Sequence, residues 1–137
     1  MAQKDFLILV VNLGSTSTKV AVFKNHERIH SGNLQHARED VSRFASVWDQ
    51  FDYRIAAIKH FLDEHKLTFA DFDLFTSRGG DMKPVPGGIY RISEEMIHDI
   101  RSGRYGTHPT GVGCLIAYTW GLEYKKPAIM VDPPVTD

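Results

Sequence analysis

Two apolar runs with a hydroxyl-rich stretch between them set the terms for this chain. Residues 6–11 (Phe-Leu-Ile-Leu-Val-Val) are continuously apolar, and residues 20–23 repeat the pattern. Short runs of this kind read as buried strands. A tight hairpin between two such strands needs only two turn residues, usually Asn-Gly or Asp-Gly. Here Asn12-Leu13-Gly14-Ser15-Thr16-Ser17-Thr18-Lys19 intervenes, with four hydroxyls, one Gly and one Lys. Gly14 removes a side chain where a bulky anion would approach. The hydroxyls, open N–H groups and Lys19 are all donors to phosphate oxygens. The stretch is not a P-loop, which requires two spaced glycines and a Lys-Ser/Thr that enters a helix. The plainer alternative is a Ser/Thr hairpin whose side chains satisfy their own backbone. The stretch alone supports both.

The 137 residues are enough for one domain with a real core. A net charge of −1 gives no broad basic field, which argues against a nucleic-acid partner. The single Cys114 has no internal disulfide partner and points to a reducing compartment. No signal segment opens the chain, and no apolar run reaches the ~20 residues of a membrane span. A soluble, cytoplasmic protein without a membrane partner is the expectation. The chain stops just past an apolar run at 128–131, beside candidate site residues, as a fragment of a longer protein would.

Residues 5–12, 18–23 and, more weakly, 28–34 read as three consecutive antiparallel strands. Ile55, Ile58 and Leu62 recur at helical spacing over 53–65, with Lys59, Asp63, Glu64 and Lys66 on the wet side. Residues 42–50 read as a helical lead-in. A strand at 74–77 ends on Arg78-Gly79-Gly80. The Pro- and Gly-rich segment 81–90 reads as an ordered loop, and 89–92 as a possible short strand. Ser93 is a good N-cap for a helix that stops at Gly103. A second helix over 112–124 carries Gly113, Cys114, Ala117 and Gly121, small residues suited to tight packing on a sheet. The last strand is 128–132. Strands alternating with helices make part of the sheet parallel. The order predicts an α/β fold with a mixed five-stranded sheet, three antiparallel strands followed by parallel ones.

Arg78-Gly79-Gly80 lies at the carboxyl end of a strand, where α/β sheets bind ligands. Arg suits bidentate contact with carboxylate or phosphate; the alternative is a solvated turn residue. His108 sits in a Gly- and Pro-flanked loop and is able to donate to a phosphoryl oxygen, although its surroundings alone fit a surface histidine better. Asp132 ends a strand and is a candidate to hold Mg²⁺ directly or through water. The other six histidines show no metal-ligand spacing. Asp49, Asp52, Asp71 and Asp73 read as structural.

Taken together, the motifs resemble those of the butyrate kinases, in the acetate kinase family of the actin, Hsp70 and sugar-kinase superfamily. The correspondence runs in order through residues 12–19, Arg78-Gly79-Gly80, the Pro-x-x-Gly-Gly loop at 84–88, the Ser-Gly-x-Tyr-Gly-x-His stretch at 102–108 and Val131-Asp132-Pro133. Acetate kinases typically carry His-Gly-Gly where this chain has Arg78-Gly79-Gly80. The chain departs from the family in the loop after Asp81, which reads Met82-Lys83-Pro84-Val85-Pro86, and after His108, where Pro109-Thr110-Gly111 stands in place of the usual Ala-Ser-Asn.

The resemblance implies an actin-like ATPase (ribonuclease H-like) half-domain over residues 1–137, with the family's second, nucleotide-binding domain absent. It implies phosphoryl transfer between a short-chain acyl phosphate and ADP, giving ATP and the carboxylate. Asn12, Gly14, Ser15, Thr16, Ser17, Lys19, Gly79 and Gly80 would meet ATP or ADP, and Asn12 and Asp132 would serve Mg²⁺. Arg78, His108 and Asp132 would act on the transferring group. A homo-oligomer, as a dimer, is expected, and a lone half-domain should lack turnover. The alternatives are an acetate or propionate kinase fragment, or a non-catalytic actin-like module that buries its sheet against a partner.

Overall fold

A computed structural model describes residues 5–78, 88–104 and 107–131. Strands β1 (Leu7–Leu13), β2 (Ser17–Lys24) and β3 (Glu27–Gln35) form the expected antiparallel meander. β4 (Leu74–Arg78) runs parallel to β1, and β6 (Ala128–Val131) runs parallel to β4. The sheet has six strands rather than five, in the order β3-β2-β1-β4-β6-β5. The additional strand, β5 (Ile89–Arg91), pairs antiparallel with β6. A three-residue segment satisfies its backbone there by covering an edge that β6 would otherwise leave unpaired.

The helices are α1 (Arg38–Ser42), α2 (Phe51–Glu64), α3 (Glu94–Arg101) and α4 (Pro109–Tyr124). Two expectations are corrected. The lead-in over 42–50 is instead the short α1 followed, after a break, by a 3-10 turn at Val47–Gln50, capped by the Ser46 hydroxyl. The last helix begins at Pro109 and not at Val112, because proline is pre-set for the first helical position and His108 caps it. Ser93 caps α3 as expected, accepting from Met96 N–H at 3.2 Å.

α2 and α4 pack on one face of the sheet. Leu9, Val11, Leu13, Val20, Val22, Phe75 and Met130 join Ile58, Phe61, Leu62, Ile116 and Trp120 in one core. The small residues of α4 let its backbone lie on the strands. A Cβ added at Gly113 would come 2.7 Å from Ser77 Oγ and 3.4 Å from Leu13 Cδ1. One added at Gly121 would come 2.9 Å from the Lys126 carbonyl oxygen and 3.1 Å from Ala128 Cβ. These contacts orient the helix: its amino-terminal turns lie over the carboxyl ends of β1 and β4, and its last turns over the start of β6. By strand alternation the opposite face carries Ile8, Val10 and Asn12 of β1, Lys19, Ala21 and Phe23 of β2, and Thr76 and Arg78 of β4. Among the described residues, no helix is long and apolar enough to cross a membrane.

Gly121→Val should lower stability by about 1–3 kcal/mol, because the new side chain meets backbone that cannot rotate away. Leu122, 64% exposed on the same turn, is the control; Leu122→Ala should stay within about 0.5 kcal/mol. Urea unfolding of both variants checks the pair, and equal midpoints would mean that α4 does not press on the Lys126–Ala128 backbone.

Candidate functional site

The hairpin between β1 and β2 is closed by Gly14 N–H donating to the Ser17 carbonyl at 2.8 Å. Gly14 N–H is therefore engaged within the turn. A Cβ at Gly14 would lie 3.1 Å from Ser17 Oγ, the tip of a side chain with room to rotate. The hydroxyls of Ser15, Thr16 and Ser17 make no hydrogen bond among the described residues. The alternative in which those hydroxyls satisfy their own backbone is thus not the arrangement found.

Beneath the turn lies a residue the sequence reading missed. Arg54, on the first turn of α2, has a side chain with no exposed surface. Its Nη2 donates to the Gly14 and Ser15 carbonyls at 2.8 and 3.2 Å, and its Nη1 to the Ser17 carbonyl at 2.8 Å and to Thr18 Oγ1 at 3.0 Å. Nε and Nη2 also donate to Gln50 Oε1 at 3.0 and 2.9 Å. Burial lowers the pKa of this guanidinium below the ordinary arginine value, with the nearby Tyr53 acting in the opposite sense, yet arginine stays protonated in proteins. A signal was available: position 54 lies four residues before Ile58, on the buried stripe of the helix, with Gln50 four residues before it.

His36 completes the support. Its backbone N–H donates to the Thr16 carbonyl at 2.8 Å, and its Nε2 lies 2.8 Å from Thr18 Oγ1. Thr18 Oγ1 also accepts from Arg54 and keeps one proton of its own, which Nε2 accepts when the ring is the Nδ1–H tautomer. Burial, then the charge of Arg54, lower the His36 pKa, while Asp40 opposes the shift.

With the Gly14 and Ser15 carbonyls held inward, planar trans peptides turn the N–H groups of Ser15 and Thr16 the other way. Neither N–H has an acceptor among the described residues. Two successive amides facing the same way are available as donors to an anion.

Asn12 and Lys19 are directly paired across β1 and β2 on the face opposite α2 and α4. Lys19 is exposed there, in the strand and not in the turn. Asn12 and Arg78 line one groove of about 450 Å³ with Val10, Thr76 and Val131. Asn12 and Lys19 line a neighbouring one of about 390 Å³ with Arg28 and Asn33. The Arg78 carbonyl accepts from Cys114 Sγ at 3.0 Å and from Ser77 Oγ at 2.9 Å, which ties the end of β4 to α4. His108 has a structural role: its Nδ1 accepts from Thr110 N–H at 3.1 Å, which caps α4 and leaves Nε2 to carry the ring proton. The Arg78 backbone pairs with Val131, the residue before Asp132. Gly79, Gly80, Asp132, the 84–87 part of the glycine loop and residues 105–106 lie outside the described residues. Asp73 is structural as expected, accepting from Leu7 N–H at 3.0 Å and facing Lys126 Nζ at 3.5 Å. A further groove, of about 340 Å³, is lined by Arg91, Lys125 and Lys126 and holds none of the candidates.

No protein-family model matches the chain. It is 40% identical over 130 residues to a probable butyrate kinase from Maridesulfovibrio salexigens, covering 95% of this chain and 36% of the relative. It is 36% identical over 133 residues to a probable butyrate kinase from Clostridium botulinum, covering 97% of this chain and 38% of the relative. The chain is a homologue of the butyrate kinases. It spans a little over a third of the length of these relatives. The crystal structure of acetate kinase from Entamoeba histolytica superposes with a TM-score of 0.55 at 12% identity, over 91% of this chain and 35% of that one. At that identity the likeness concerns the fold, which is the actin-like ATPase fold.

Because His36 titrates below its ordinary value of 6.5, its proton is bound more weakly in the folded chain than in the unfolded one. Stability is then fully present above about pH 6.5 and falls as pH drops through the folded value. Urea midpoints at pH 7.5 and pH 5.5 should show this loss, and His36→Gln should flatten it. An equally steep dependence in His36→Gln would assign the effect to another group.

Proposed function

We propose that this chain supplies one wall of the phosphoryl-transfer site of a carboxylate kinase. The reaction moves a phosphoryl group between butyryl phosphate, or a related short acyl phosphate, and ADP, giving ATP and the carboxylate. The observation that carries this is the juxtaposition, at the carboxyl ends of β1 and β4, of outward turn amides with a groove shared by Asn12 and Arg78, in a homologue of the butyrate kinases. Enzymes of this chemistry chiefly position two anions and neutralise charge during transfer.

In this reading the amides of Ser15 and Thr16, with the hydroxyls of Ser15, Thr16 and Ser17, hold nucleotide phosphate oxygens. Gly14 keeps the turn narrow, and Lys19 adds a positive charge on the same side as Asn12. The Arg78 guanidinium binds the transferring phosphoryl group or the substrate carboxylate in a bidentate manner. His108, capped through Nδ1, presents Nε2–H as a donor to the same group. Gly79 and Gly80 let the backbone approach it. Mg²⁺ favours hard oxygen ligands and keeps several waters. The Asn12 side-chain oxygen fits that preference, and Asp132 would supply the carboxylate. No cluster of three His, Cys, Asp or Glu side chains occurs among the described residues, so the ion would rest on these two residues, water and substrate phosphates. When bound it would supply neutralising charge between phosphates. The remaining wall, with the adenosine site, belongs to a second domain of the parent protein, and the 137-residue chain alone should show no turnover.

A chimera tests this: the chain replaces its matched segment in the Maridesulfovibrio salexigens relative, and ATP formation from butyryl phosphate and ADP is followed. Activity is expected, and Arg78→Lys should lower kcat on the order of a hundredfold, as loss of one transition-state contact does. A folded chimera without activity beside an active parent would refute the assignment. Near-normal turnover of Arg78→Lys would reduce Arg78 to a loop residue.

A further inference from the structure

Among the described residues the charge of Arg54 has no counter-charge. All six of its hydrogen bonds go to neutral acceptors: the Gly14, Ser15 and Ser17 carbonyls, Thr18 Oγ1 and Gln50 Oε1. Among the described residues no carboxylate lies within ion-pair distance of it. Neutral dipoles solvate a cation without cancelling it, and buried charges are ordinarily paired. The acceptors are also unusual in their source, since three are backbone carbonyls of a single turn. Each carbonyl drawn to the guanidinium sets the direction of the amide in the same peptide plane. Gly14 C=O sets Ser15 N–H, and Ser15 C=O sets Thr16 N–H. Neither of these two amides has an acceptor among the described residues.

We propose that Arg54 is a positioning residue for phosphate binding at the hairpin turn, and that the bound anion is the missing counter-charge. This rests on the reading of the turn as a phosphate site and adds how the site is charged. Arg54 acts twice. Its fork fixes the turn with two amides facing outward, and its unneutralised charge raises the potential on their far side. Lys would retain the charge but has no planar fork with which to hold carbonyls of three residues at once. Arg54 itself touches no ligand, because the turn lies between.

Gln50→Glu separates charge from geometry. A glutamate keeps an oxygen for Nε and Nη2 and adds a carboxylate partner, so the fold should persist with an equal or higher Tm. The cation beneath the turn is then neutralised. The isotope-labelled 137-residue chain is titrated with inorganic pyrophosphate while backbone amide resonances are followed. In the native chain, Ser15 and Thr16 should shift most. In Gln50→Glu, affinity should fall about tenfold or more, and the remaining binding should depend less on salt. Arg54→Lys is the second variant, expected to lose affinity and also to move the Ser15 and Thr16 resonances without anion, which Gln50→Glu should not do. Native-like affinity in folded Gln50→Glu, or in folded Arg54→Lys, would overturn the proposal and leave the turn as a phosphate site. If pyrophosphate moves neither amide in the native chain, the phosphate reading of the turn falls, and the proposal with it.

Discussion

A guanidinium taken out of water under a hairpin turn loses hydration worth several kcal/mol. It persists only where hydrogen bonds replace that hydration, and the Gly14, Ser15 and Ser17 carbonyls with Thr18 and Gln50 replace it. The dependence is mutual. Removing Arg54 would strip partners from carbonyls on the inner side of the turn, each costing about 1–3 kcal/mol if left unpaired. Because Arg54 stands on α2, the contact also fixes where that helix meets the β1–β2 hairpin. His36, at the end of β3, holds the Thr16 carbonyl and the Thr18 hydroxyl. One buried cation thereby joins the helix to the hairpin, and His36 extends the join to the third strand.

The placement of the candidate residues follows from strand direction. β1, β4 and β6 are parallel, so their carboxyl ends share one edge of the sheet. α4 runs back against β4, because Gly113 sits on Leu13 and Ser77 while Gly121 sits on Ala128. Its amino terminus, capped by His108, therefore comes to the same edge as the turn and the end of β4. The positive end of the helix dipole faces that edge too. Asn12, Lys19 and Arg78 lie on the sheet face away from α4, and His108 belongs to the helix side. A ligand touching all of them must sit across the end of the sheet rather than on one face.

Much of the fold was legible because it depends on local signals. The three antiparallel strands, the Ile55-Ile58-Leu62 periodicity, the Ser93 cap and the small residues of α4 each declare themselves within a few positions. β5 was less so: its pairing with β6 joins residues about 40 apart, and three residues carry little pattern of their own. The start of α4 is marked by Pro109, a first-turn residue, and lies three residues before the apolar run begins at Val112. Arg54 shows the limit best. A charged residue in an amphipathic helix is ordinarily on the wet side, and its partners at residues 14–18 are 36–40 positions away. Only its phase with Ile58 marked it as inward. The chemistry-bearing motifs were visible as residue types, whereas the direction of the turn's amides was not, since it is set by that distant side chain.

Fold and family rest on different quantities here. A TM-score of 0.55 at 12% identity carries the chain path, whereas 40% identity over 130 residues also carries the kinship. Neither sets the strength of the site, which depends on water. The grooves beside Asn12 and Arg78 are open, and in an open groove the attraction between a guanidinium and a phosphate is weakened by the dielectric of the solvent. Donors aimed at developing charge act strongly only where water is excluded. The turn has half of that arrangement already, since the guanidinium beneath it is dry and the amides above it are fixed. Excluding water from the outer half needs a second surface closing over the sheet edge, and residues 5–78, 88–104 and 107–131 contain no element placed to do so. On the proposed reading, phosphate binding and phosphoryl transfer would make unequal demands on this chain: the first would ask for oriented amides and a cation, and the second in addition for a lid.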